Sequence, residues 1–66
     1  MNEMIPFEVK FLHQTESALL VDIEGEKVWL PKSIIEVDEY ELDGIRKGNI
    51  LEISIPEWLA TDKQLI

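Results

Sequence analysis

The feature that most constrains this sequence is a pair of alternating apolar segments, 18–23 and 26–31, joined by Glu24 and Gly25. Apolar residues recur at every second position in both segments, at Leu19, Val21, Ile23, Val28 and Leu30. Spacing of period two predicts two half-buried β-strands. Because glycine supplies the positive φ that a short loop requires, the sequence predicts a β-hairpin here. Pro31 lacks an amide proton and is expected to end the second strand.

Two further segments, 6–13 and 50–55, alternate in the same way. Their apolar positions are Phe7, Val9, Phe11, Leu51, Ile53 and Ile55. The polar residues 14–17 separate the first strand from the hairpin and predict a turn. Because the connections are short and hairpin-like, the strands are expected to pair antiparallel.

A short helix is predicted to follow the last strand, with Pro56 at its first position. Proline is favoured there because its missing amide proton would have no partner in any case. Glu57 lies near the positive end of the helix dipole and Lys63 near the negative end, and both charges are favourable. Since a helix this short is marginal alone, we expect it to dock on the sheet through Trp58 and Leu59.

The segment 33–42 fits two interpretations. Ser33 followed by Glu36 matches a capping box, which would open a short helix. The β-branched residues within 34–37 favour a strand instead. We favour an irregular strand, and the short helix stands as the alternative.

Together these elements predict a mainly β fold with one C-terminal helix, in a single domain covering residues 1–66. Four or five short strands would form a small curled antiparallel sheet or a partly open barrel of the SH3 or OB kind. A core of this size supplies only roughly 3–5 kcal/mol of net stability. Because the chain has no cysteine to form a disulfide, self-association is one expected source of further stability.

Charge limits the classes of partner. The formal net charge is −8 at pH 7, which disfavours direct binding to nucleic acid or to an anionic membrane. The same charge suits a partner protein with a basic surface. The sequence shows no export signal, no apolar segment long enough to span a membrane and no cysteine, so we expect a cytoplasmic protein.

No combination of residues typical of an enzyme is found. His13 is the single histidine, and a nucleophile–base pair could only join it to a serine such as Ser17 or Ser33. The acidic run 36–43 departs from the ligand pattern of a calcium loop. A solvated edge that prevents incorrect strand pairing explains that run better. We therefore expect no catalysis, no metal and no other cofactor.

Aromatic and basic residues are the better candidates for a binding function. Trp29 points away from the apolar side of its strand and toward the side of Lys27, so it is the first candidate. Burial by the C-terminal helix or by another subunit is the alternative for this side chain. Gly44 and Gly48 bracket a basic turn that could hold a small anionic ligand. The candidate binding residues are Trp29, Lys27, Lys32, Arg46, Lys47 and Tyr40.

Two short motifs, VWLPKS at 28–33 and IPEWLA at 55–60, resemble a group of very short bacterial and prophage proteins with no established activity. The resemblance implies a small cytoplasmic protein carried by a phage or another mobile element. Such proteins frequently bind and block a host component, or sequester a small signal molecule. The resemblance carries over no functional residue.

Three functional hypotheses follow. The first is a non-enzymatic binding protein, encoded by a phage or mobile element, that inhibits a host or defence factor by binding it. The second is an oligomer that sequesters a small anionic nucleotide signal between its subunits. The third is an accessory protein of phage DNA replication or recombination.

Overall fold

The computed structural model describes residues 3–66 and has a single four-stranded antiparallel sheet. Its strands are β1 (Met4–Gln14), β2 (Ala18–Ile23), β3 (Glu26–Pro31) and β4 (Ile50–Pro56). Two short helices, α1 (Glu39–Leu42) and α2 (Glu57–Asp62), complete the fold. The strands lie in the order β3-β2-β1-β4, and the sheet curls without closing into a barrel. The predicted mainly β class is therefore confirmed, with four strands.

One face of the sheet, here called the inner face, carries the hydrophobic core. The alternating apolar residues of all four strands point to it and are buried by α2 and by the chain that connects β3 to β4. The buried residues are Val9, Phe11, Leu19, Val21, Ile23, Val28, Leu30, Ile35, Leu42, Leu51, Ile53, Ile55, Leu59 and Ala60. The opposite face, here called the outer face, has no helix over it among residues 3–66.

The β2–β3 hairpin forms as the sequence predicts. Glu24 and Gly25 are its two loop residues, and both have positive φ, 51° and 88°, as a type I′ turn requires. The amide of Gly25 donates a 2.7 Å hydrogen bond to a carboxylate oxygen of Asp22. This two-residue loop sets the register of the hairpin, in which Leu19 lies opposite Leu30.

Replacing Glu24 with asparagine is expected to stabilise the protein by about 0.5–1 kcal/mol. Asparagine tolerates positive φ better than glutamate does, and Asn-Gly is the preferred pair in a type I′ turn. Urea denaturation would measure the gain. Glu26→Asn is the matched control, because it removes the same charge from a strand position without positive φ. An equal gain in both variants would show that charge, and not turn geometry, is responsible.

Strand β1 is longer than the predicted 6–13 and contains a bulge. Phe11 lies opposite Val21, but His13 lies opposite Leu20, so Leu12 is the extra residue. The bulge shifts the alternation, and as a result His13 shares the outer face with Leu20 while Gln14 lies opposite inward-facing Leu19.

The strand favoured for 33–42 is wrong. After β3 the amides of Ile34 and Ile35 both donate to the carbonyl of Pro31, at 3.1 and 3.4 Å, so the chain turns. Only Glu36 keeps a sheet contact, an isolated bridge to Ser54. The helix that does form begins later than the alternative predicted, because Asp38 caps α1 by accepting from the amide of Tyr40 at 2.9 Å.

Helix α2 begins at Glu57, with Pro56 as its N-cap residue, within one position of the prediction. Leu59 and Ala60 are buried against the sheet, as expected for Leu59. The prediction that α2 docks through Trp58 is wrong, since half of that residue is exposed. A six-residue helix turns only one narrow side toward the sheet, and residues 59 and 60 occupy it.

No helix in the described part of the chain is long and apolar enough to cross a membrane.

Candidate binding face of the sheet

The outer face is organised as rows of side chains that cross the strands. Trp29, Leu20 and His13 are consecutive neighbours on β3, β2 and β1, and we call them the Trp29 row. Cross-strand neighbours of this kind have Cβ atoms about 4.5–5.5 Å apart and pack against each other. The row therefore forms a continuous apolar and aromatic strip over three of the four strands.

Within this row, Trp29 is held in place but remains open to solvent. Its ring meets the His13 ring edge-to-face, with the ring centroids 6.3 Å apart and the planes at 89°. Leu20, half-buried, lies between the two strands that carry the rings. Trp29 nevertheless keeps 47% of its surface exposed. A tryptophan that is oriented by its neighbours and still exposed loses little side-chain entropy when a partner covers it.

The next row on the outer face carries alternating charge. Lys27, Asp22 and Lys10 are neighbours on β3, β2 and β1, so each lysine lies beside the single aspartate. Ile50 follows on β4 opposite Lys10, with 59% of its surface exposed. Opposite charges on paired strands stabilise the sheet modestly. The row also places two ammonium groups and an exposed isoleucine next to the Trp29 row.

Beyond the lysines, the outer face becomes acidic. Glu8 and Glu52 lie directly opposite each other on β1 and β4, and both are exposed. Like charges in this position are unfavourable in the free protein. A cation supplied by a partner would relieve that repulsion. The outer face thus combines an apolar strip, a row of mixed charge and a pair of carboxylates.

The structure brings only Lys27, among the other candidate residues, to the side of Trp29. Lys32 donates to the side-chain oxygen of Gln14 at 2.8 Å. The side-chain nitrogen of that glutamine donates to the carbonyl of Leu42 at 3.2 Å, so Lys32 lies over the inner side of the sheet. Sequence reasoning grouped Lys32 with Trp29 because they are close in the chain, and the turn after Pro31 separates them.

The remaining candidates are in the connection between β3 and β4. Tyr40 lies in α1 with 90% of its side chain exposed and acidic neighbours on both sides. Arg46 and Lys47 are exposed in the turn before β4, where the amide of Gly48 donates to the carbonyl of Phe11 at 2.7 Å. Among residues 3–66 no group of three or more His, Cys, Asp or Glu side chains could hold a metal ion.

Sequence reasoning did not find Leu20 and His13 as members of the site. The signal for Leu20 is present, because a two-residue loop at Glu24 and Gly25 pairs residue 20 with residue 29. The position of His13 depends on the bulge at Leu12, and no turn residue in the sequence marks that bulge.

Comparison of the chain with protein-family models, with curated proteins and with solved structures returns no match.

Proposed function

We propose that this chain is a non-enzymatic binding protein that recognises a protein partner through the outer face of its sheet. The observation that carries the proposal is the exposure of Trp29 within the Trp29 row. Tryptophan is the residue type most enriched at binding hot spots. Here it belongs to a strip of three neighbouring side chains on a rigid sheet, which favours a preorganised contact.

The charge distribution indicates the chemistry of the partner. Glu8 and Glu52 next to the lysine row favour a surface that presents a basic group beside an apolar patch. The net charge of −8 favours the same partner at longer range, since it attracts basic surfaces and speeds their approach. In the context that the two motifs imply, the partner is a host or defence factor, and occupation of its surface inhibits it.

The two other functions remain as weaker proposals. An oligomer that sequesters an anionic nucleotide needs cations that converge near Trp29. Among the candidate cations only Lys27 shares its face, while Lys32 is bound to Gln14 on the inner side. An accessory role in phage replication would operate through a protein partner, because the net charge opposes direct contact with DNA.

Trp29→Ala is expected to abolish capture of the partner from host lysate. With the partner purified, it should weaken binding by about 30-fold or more, the equivalent of about 2 kcal/mol. Trp58→Ala is the matched control, because Trp58 has nearly the same exposure, 50% against 47%. It lies on α2, which follows β4 at the end where Pro56 pairs with Met4. Met4 and His13 are near opposite ends of β1, so Trp58 is far from the Trp29 row.

Specific capture means one protein retained by the wild type and by Trp58→Ala but lost with Trp29→Ala. Thermal melting of each variant establishes that both remain folded. A partner retained equally by both variants would place the binding site elsewhere and contradict the proposal. Inhibition is then tested by titrating the wild type and Trp29→Ala into an assay of the partner's own activity.

A further inference from the structure

Strand β3 is an edge strand whose second side is open. It pairs with β2 on one side, and no other strand in residues 3–66 pairs with it. The amide of Lys32 donates to the carbonyl of Ser17 at 2.9 Å, just beyond the last paired residues. Because hydrogen-bonded pairs recur at every second residue of an antiparallel ladder, Leu30 and Val28 also direct their backbone groups toward β2.

It follows that Lys27, Trp29 and Pro31 direct their backbone groups away from the sheet. Pro31 has no amide proton, and its carbonyl already accepts from the amide of Ile34 at 3.1 Å. The open edge is therefore reduced to two N–H and two C=O groups, those of Lys27 and Trp29. Unpaired groups of this kind are a template for a further strand.

We propose that this edge pairs with the same edge of a second copy of the chain. The two β3 strands run antiparallel about a two-fold axis at Val28, so Lys27 of each copy lies opposite Trp29 of the other. In this register the four open groups of each copy are all used. The eight groups form four hydrogen bonds between the two copies. The result is a continuous eight-stranded sheet with its outer faces side by side.

The side chains favour this register over its neighbours. It sets each Lys27 ammonium against the indole of the other copy on the outer face, which is a cation–π arrangement. A two-fold axis at Lys27 would oppose the two lysines, and like charges directly opposite are destabilising. An axis at Trp29 would set Lys27 against Pro31, which cannot donate a hydrogen bond.

Charge along the edge favours the antiparallel direction and this side of the molecule. Glu24 and Glu26 lie at the start of β3, and Lys32 lies just beyond its end. Antiparallel pairing keeps the acidic ends of the two copies apart, and the ammonium of Lys32 does not contribute because it is bound to Gln14 on the inner side. A parallel pair would oppose like charges. For a chain of net charge −8, an edge that carries Lys27 is also a place where a second copy meets reduced repulsion.

The edge contact can be tested separately from the partner proposed above, because its hydrogen bonds use the backbone of β3, whereas that binding uses the side chains of the outer face. Capture of a partner by a purely monomeric protein would contradict only the edge contact. A dimer that captures no partner through Trp29 would contradict only the proposed function.

Native mass spectrometry and sedimentation velocity of the full chain over a concentration series test the dimer. We expect a monomer–dimer equilibrium that shifts toward dimer as salt increases, because salt screens the repulsion between two acidic copies. Lys27→Pro should abolish the dimer, since it removes an amide that β2 does not use and blocks the edge sterically. Lys27→Ala keeps that amide and should weaken the dimer without abolishing it.

A single cysteine at the proposed axis tests the register. In Val28→Cys the two Cα atoms form a non-hydrogen-bonded pair about 4.5 Å apart, within the range for a disulfide. We expect rapid cross-linking under mild oxidation, and slow cross-linking of the control Thr61→Cys, an exposed position on α2. Equal rates would refute the register. A wild type that stays monomeric at all concentrations and salt levels, or a Lys27→Pro variant that dimerises like wild type, would overturn the proposal.

Discussion

Replacing Leu19 with alanine is expected to leave most of the chain unfolded at room temperature. Leu19 is completely buried on β2, directly opposite Leu30, which is also completely buried. A Leu→Ala substitution at such a site removes apolar contacts and leaves a cavity, at a cost of about 2–5 kcal/mol. A chain this small has only roughly 3–5 kcal/mol of net stability, so one substitution uses most or all of it.

The neighbouring Leu20 provides a control of the same residue type on the same strand. It points to the outer face as a member of the Trp29 row, where it is half-buried. Leu20→Ala is expected to cost less, about 1–2 kcal/mol, because on the open outer face the truncation loses apolar contacts but leaves no enclosed cavity. Circular dichroism during urea denaturation would measure the free energy of unfolding of both variants. A similar loss in the two would contradict the assignment of inner and outer faces.

The hairpin and the facing of its residues could be predicted because local and tertiary preferences agree there. The alternation of Leu19, Val21, Val28 and Leu30 marks the inner face, and a glycine at the required turn position fixes the pairing. The outward direction of Trp29 follows from the same alternation, whereas its exposure depends on whether another element covers that face. In this part of the chain the local structural preference of each residue agrees with the final fold.

Segment 33–42 could not be predicted because tertiary packing overrides its local preference. Its β-branched residues favour a strand, but Ile35 is buried in the core from a turn and Val37 packs at its border. The cap that decides where α1 begins is Asp38, one of several acidic residues in the run. Sequence alone does not indicate which of them meets a free amide.

The candidate site could be predicted in part. Trp29 and Lys27 are neighbours on the outer face, as the period-two pattern implies. The ring of His13 reaches Trp29 only because the bulge at Leu12 shifts the alternation of β1. Such a shift depends on the pairing of two strands, and single-strand periodicity does not contain it.

Leu59→Ala is expected to destabilise the protein far more than Trp58→Ala, although tryptophan is the larger residue. Leu59 is 4% exposed and anchors α2 to the core beside Ala60, so its truncation costs about 2–5 kcal/mol. Trp58 is half exposed and does not belong to the core, so its truncation leaves no enclosed cavity.

Urea denaturation would rank the two variants by the midpoint of unfolding, with Leu59→Ala well below the wild type and Trp58→Ala between them. Trp29 remains in both variants, so its fluorescence can follow unfolding in each. Because α2 is too short to persist without its contact to the sheet, helical circular dichroism should fall with Leu59→Ala even where the strands survive. A larger loss with Trp58→Ala would mean that the helix docks through the tryptophan and that Leu59 is the exposed side chain.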